Sequence, residues 1–183
     1  GAAVLTISLV TNRLELIRRL VPPADSIGFI VNPANPTAED QVVAMRTATQ
    51  ALGQRLEIMR VSHQADVETL SDKISAARPK ALVVGADSFL QSQRKGLVAL
   101  AARHAIPAIY EARESVVDGG LASYAGDFVE GFRQAGVYVG RILNGERPGD
   151  LPVVQPTKFE FVLNLKTARA LGLVIPPTVL ALA

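Results

Sequence analysis

Ile27-Gly28-Phe29-Ile30-Val31 runs directly into Asn32-Pro33-Ala34-Asn35-Pro36-Thr37, and this junction decides the fold. Five apolar residues in an unbroken run are what a strand buried on both faces requires. The polar, two-proline turn leads to Val42, Met45, Ala48 and Leu52. That spacing marks one face of a helix, and Gly53 stops it. The alternation of apolar and polar residues from Leu56 to Val61 predicts a half-buried or edge strand. Val67, Leu70 and Ile74 predict a second helix closed by Pro79, and Ala81-Leu82-Val83-Val84 another buried strand. A third helix carries Leu90, Leu97, Leu100 and Ala101, and Ile106 to Tyr110 is a fourth strand. Strands separated by amphipathic helices imply right-handed crossovers and a parallel sheet with helices on both faces. On the other side of the junction, Val4-Leu5-Thr6-Ile7-Ser8-Leu9 reads as a strand.

After Tyr110 the rhythm changes. Gly119-Gly120 breaks the chain, Leu121 to Tyr124 is a short strand, and a long helix runs from Asp127 to Leu143. Phe128, Phe132, Ala135, Val139 and Ile142 form its apolar stripe, and Gly131, Gly136 and Gly140 allow it to pack closely. Asn144-Gly145 ends it. Phe159 to Leu163 is a last strand, and Thr167 to Leu171 a short helix.

Composition narrows the function classes. The 183 residues hold 49% hydrophobic and 20% charged side chains, proportions typical of a globular α/β domain. Nineteen basic and seventeen acidic residues leave a formal charge of +2. No basic run is interleaved with aromatics, so nucleic-acid binding is not indicated. Zero cysteines exclude disulfides and thiolate metal sites. No apolar run approaches the roughly 20 residues of a membrane span. Gly1-Ala2-Ala3 has no charged leader region, and a chain opening on an apolar segment reads as a trimmed piece of a longer one.

In an open parallel sheet, ligands sit beyond the carboxyl ends of the strands, against helix N-termini. The first such end carries Asn32, Asn35 and Thr37. Thr37 can cap the following helix, with Asp40 at the third position, leaving first-turn N–H groups for a carboxylate or phosphate. The third strand ends in Gly85-Ala86-Asp87-Ser88-Phe89. Asp87 could pair with a ligand ammonium, hold a metal or accept a phosphoryl group, and it also reads as an N-cap. Phe89 could form an apolar wall, although core packing is the default for that side chain. Tyr110-Glu111 ends the fourth strand, where a ring and hydroxyl could line the same cleft, and Tyr124 offers the same.

Catalytic constellations are absent from the sequence. His63 and His104 stand alone, and His104 near a helix end suits terminal carbonyls. There is no G-x-S-x-G, P-loop, H-E-x-x-H or post-strand G-x-G-x-x-G. No cofactor is implied. The pattern favours binding over catalysis.

The C-terminal third carries a more specific signal. Ala135-Gly136-Val137-Tyr138-Val139-Gly140-Arg141-Ile142-Leu143-Asn144-Gly145-Glu146-Arg147-Pro148, Gln155-Pro156-Thr157-Lys158-Phe159-Glu160 and Asn164-Leu165-Lys166-Thr167-Ala168 follow in order. Val31-Asn32-Pro33, Val84-Gly85-Ala86-Asp87 and Ile106 to Tyr110 precede them. Together these closely resemble the ABC-transporter substrate-binding family that includes tryptophan- and tyrosine-binding members, of the periplasmic binding protein type I fold. The resemblance implies two α/β lobes with a small solute trapped between them. It further implies delivery to an ABC permease, and a place in the periplasm or on a lipid anchor outside the inner membrane. It assigns residues 1–118 and 157–183 to the second lobe, and 119–156 to a strand-helix arm of the first. Ligand contacts are implied at Asn35, Thr37, Asp87 and Tyr110, with Asn32, Ser88, Phe89 and Tyr124 beside them. The sequence departs from aromatic-amino-acid binders where Pro36 follows Asn35 and Ser88 follows Asp87. An arm left bare could be exchanged between two copies in a homodimer. The same lobed architecture serves as the effector-sensing domain of transcription regulators. A phosphoacceptor domain built on Asp87 would need a second acid where Asn32 stands.

Overall fold

The computed structural model describes residues 6–126, 128–152 and 158–183. Six strands form one sheet in the order β2-β1-β3-β4-β5-β6. They are β1 (Ser26–Val31), β2 (Arg55–Arg60), β3 (Ala81–Val84), β4 (Ala108–Tyr110), β5 (Ala122–Gly126) and β6 (Phe159–Leu163). Every pairing from β2 through β5 is parallel, and only β6 runs antiparallel on its edge. The connecting helices are α1 (Thr6–Leu20), α2 (Ala38–Ala51), α3 (Gln64–Ala77), α4 (Ser88–Ser92), α5 (Arg94–Arg103), α6 (Arg113–Val117), α7 (Phe128–Leu143), α8 (Leu165–Ala170) and α9 (Pro177–Leu180). Among the described residues no helix is long and apolar enough to cross a membrane.

The strand pleat sorts side chains between two cores. Ile27, Phe29, Val31, Val83 and Ile109 pack with α1, α2, α8 and α9 on one face. Ile30, Leu82, Val84 and Tyr110 pack with α3, α4 and α5 on the other. β1 and β3 are buried along their whole length, and β2 shows the exposed pattern of an edge. The alternating α/β reading of the sequence therefore describes the molecule.

Two sequence expectations are corrected. The chain from Thr6 is helical and not a strand, while Val4 and Leu5 lie outside the described residues. Leu9, Val10, Leu14, Ile17 and Leu20 recur at helical spacing, and all five are buried. Burial of that stripe against α2, β3, β4 and β5 outweighs the β-branched residues at its start. The second correction concerns the start of the arm. β5 pairs with β4 on one side and β6 on the other, so it is a strand of this sheet. The chain leaves the sheet only after Gly126.

Gly120 shows how tightly the β5 approach is packed. A Cβ there would lie 2.7 Å from the Ser115 carbonyl oxygen and 2.7 Å from Cε2 of Tyr110. Neither a backbone carbonyl nor a buried ring can yield cheaply. Gly120→Ala should destabilise the fold by about 2 kcal/mol, read as a melting temperature lower by roughly 4–8 °C. A melting point within a degree of wild type would show that this turn can open.

Candidate functional site

The carboxyl ends of β1, β3 and β4 meet at one edge of the sheet, and a single hydrogen-bond network joins the first two. Asn32 is buried at the end of β1. Its Nδ2 donates to Asp87 Oδ1 at 3.0 Å, and its Oδ1 accepts from the Ala34 N–H at 3.0 Å. Asn35 Nδ2 donates to Asp87 Oδ2 at 2.9 Å and to the Ala86 carbonyl at 3.1 Å. Asn35 Oδ1 accepts from both the backbone N–H and the hydroxyl of Thr37, each at 2.9 Å. The Thr37 hydroxyl in turn accepts from Gln41 Nε2 at 3.1 Å. Gln41 closes the ring, with Oε1 accepting from the Ala86 N–H at 3.0 Å. Asp87 also caps α4, since Oδ1 accepts from the Leu90 N–H at 3.0 Å.

The structure thus brings Asn32, Asn35, Thr37 and Asp87 together. Thr37 occupies the N-cap position of α2 without a capping hydrogen bond from its side chain. Its hydroxyl is spent on Asn35 and Gln41, so the expected cap with Asp40 is not formed. Ser88 is exposed at the start of α4, and Phe89 is half-buried against the second core.

The two tyrosines expected to line the cleft sit differently from one another. Tyr110 is 2% exposed within the second core, its hydroxyl has no partner, and burial pushes its ionisation far up. The inward phase of β4 carries that ring away from the edge. Tyr124 stacks on Phe159 of β6, with ring centroids 5.9 Å apart and planes 17° from parallel. His104 pairs through Nε2 with the Ser71 hydroxyl at 2.8 Å, tying α5 to α3 where helix-end carbonyls were expected. His63 Nδ1 meets the Ser62 hydroxyl at 2.8 Å.

Three polar residues at this edge escaped the sequence reading. Gln41 is 1% exposed and holds α2 to the loop after β3. Arg13, in the middle of α1, is also 1% exposed. Its Nε donates to the Tyr124 carbonyl and its Nη1 to the Val84 carbonyl, both at 3.0 Å. Those carbonyls belong to β5 and β3, on either side of β4. Burial lowers the Arg13 pKa to about 10, and the negative field of Glu111 works against that loss. Glu111 follows β4. Burial raises its carboxyl pKa, Arg13 and the Asp87 backbone N–H oppose the rise, and the Asp87 charge adds to it. The sequence did hold a signal for Arg13. It lies in phase with Leu9 and Ile17, on the apolar stripe of α1, where a charge needs a reason to be.

Residues 3–183 match the family model of the ABC transporter substrate binding protein. The chain is similar to the tyrosine-binding protein of Clostridioides difficile (strain R20291), with 26% identity over 160 residues. That match covers 87% of this chain and 46% of the relative. A conserved domain protein from Vibrio cholerae O1 biovar El Tor superposes with a TM-score of 0.90 at 28% identity, covering 100% of this chain and 61% of that one. An ABC domain from Streptococcus pneumonia, solved in complex with L-Trp, superposes with a TM-score of 0.86 at 26% identity, covering 96% and 59%. The chain therefore spans about half the length of the curated relative and about three fifths of the solved ones.

Proposed function

The chain belongs to the ABC transporter substrate binding protein family, and from that membership we propose that it is one lobe of a clamp for a small, amino-acid-like solute. The observation that carries the reading is the network of Asn32, Asn35, Thr37 and Asp87 at the carboxyl edge of the sheet. It is buried enough to be pre-organised and polar enough to recognise a zwitterion. Relatives named for tyrosine and solved with L-Trp support an aromatic amino acid as the first candidate.

In this reading residues 1–118 and 157–183, together with β5, form the gripping lobe, and α7 is an arm that packs on the other lobe. Solute contacts from both lobes favour the closed state, so binding shifts a hinge equilibrium. The closed form delivers its cargo to a membrane permease outside the cytoplasm. No bond is made or broken, which agrees with a family of binding proteins.

A thermal-shift screen of the full-length protein against the standard L-amino acids and simple sugars tests the proposal. An aromatic L-amino acid should stabilise it by about 2.7 kcal/mol at a hundredfold excess over Kd. Stabilisation by a sugar and by none of the amino acids would refute the zwitterion reading.

A further inference from the structure

We infer that Glu111, and not Asp87, is the carboxylate that receives a cationic nitrogen of the solute, with Arg13 as its positioning residue. The inference deepens the binding reading above and rests on it. Both Asp87 oxygens are already engaged. Oδ1 accepts from Asn32 Nδ2 and the Leu90 N–H, and Oδ2 accepts from Asn35 Nδ2. Asp87 therefore organises the two loops and has little left to offer a ligand.

Glu111 presents the opposite case. It stands one residue beyond β4, at the same edge. Its Oε2 is covered and has no hydrogen-bond partner, while the residue as a whole is only half-buried. The same carboxyl takes the Asp87 backbone N–H, which places it against the loop that carries the network. A covered carboxylate oxygen without a donor is uncommon, because an unmade hydrogen bond to a charged group is costly. A solute ammonium would supply the donor, and a charge-assisted bond in a partly dry site is a strong one.

Arg13 opposes the loss of charge that burial imposes on this carboxylate. The guanidinium is fixed by the Val84 and Tyr124 carbonyls, which flank the end of β4. It influences Glu111 through its field, yet among the described residues Arg13 forms no ion pair with any carboxylate. A buried cation normally pairs directly with an anion. Held apart, it favours the ionised form of Glu111 without occupying the oxygen a ligand needs. The Asp87 charge, the other ionised group bearing on Glu111, works in the opposite sense.

Calorimetry on the full-length protein tests this, with L-tyrosine, L-tryptophan and the matching acids that lack the α-amino group as probes. Wild type should favour an amino acid over its desamino partner by roughly 10- to 100-fold. Glu111→Gln should bind both alike, and Glu111→Asp should keep part of the preference. An unchanged preference in Glu111→Gln, or no preference in wild type, overturns the assignment and leaves the binding reading standing. Wild type that binds neither amino acid overturns both. If Glu111→Gln does not fold, wild type with 13C-labelled glutamate carboxyls decides. The Glu111 signal should move on adding the amino acid, and a signal that stays put overturns the assignment.

Discussion

In the full-length protein, Asp87→Ala should lower the unfolding free energy by about 2–4 kcal/mol, through donors left unpaired at Asn32, Asn35 and Leu90. A loss of that size corresponds to a melting temperature lower by roughly 4–16 °C. Solute affinity should fall with it, because the amides of Asn32 and Asn35 hold the loop after β1 through this one carboxylate. Asp87→Asn is not a rescue. Its amide nitrogen would confront the donor of either Asn32 or Asn35, so one of the two contacts turns from attraction to repulsion. The pattern separates Asp87 from Glu111: a joint loss of stability and affinity here, against a selective loss of amino-acid preference there. Chemical denaturation and calorimetry on the same samples decide it. Asp87→Ala within about 0.5 kcal/mol of wild type, the range of ordinary surface changes, would show that the network is slack.

Expressed alone, the 183-residue chain should self-associate through α7. On that helix Phe132 is 77% exposed, Val139 56% and Leu143 81%. Gly136 and Gly140 lie between them in phase, and a Cβ on either would meet nothing within 4 Å. The close packing expected of these glycines is therefore not made among the described residues. Tyr138 is tied down, buried and donating from its hydroxyl to the Pro152 carbonyl at 2.8 Å. The side chain of Phe128, expected on the same stripe, lies outside the described residues. An apolar face of this kind drives association when nothing covers it, and exchange of the arm between two copies would give a two-fold dimer. Sedimentation at increasing concentration should show dimer or larger species, and Phe132→Asp with Val139→Asp should return the monomer. A wild-type chain that stays monomeric at high concentration would show that the α7 face tolerates water. If the other lobe covers that face, as proposed, the full-length protein should be monomeric at concentrations where the short chain is not.

Much of this protein was legible along the chain because the signals are local. Unbroken apolar runs at β1 and β3 and alternation at β2 record how many faces each strand buries, and that number fixes the order of sheet and helix. Asn32, Asn35, Thr37 and Asp87 stood out because the ends of parallel strands are where polar groups converge. What the sequence could not supply is which of these groups are already spoken for. Asn32 and Asp87 are 55 positions apart, and Arg13 reaches carbonyls 71 and 111 positions away. Only the sheet order β3-β4-β5 brings those carbonyls to either side of Glu111. Thr6 to Leu9 reads as a strand for a related reason, since those residues suit one locally and the helix they open is fixed only by the core that α1 packs against. Tyr110 and Glu111 are neighbours whose fates diverge by one step of the pleat, the ring turning into the second core and the carboxylate staying at the edge. Local pattern determines which elements form and where a site can be. The non-local contacts, made only once the sheet is assembled, decide which carboxylate oxygen at that site still lacks a donor.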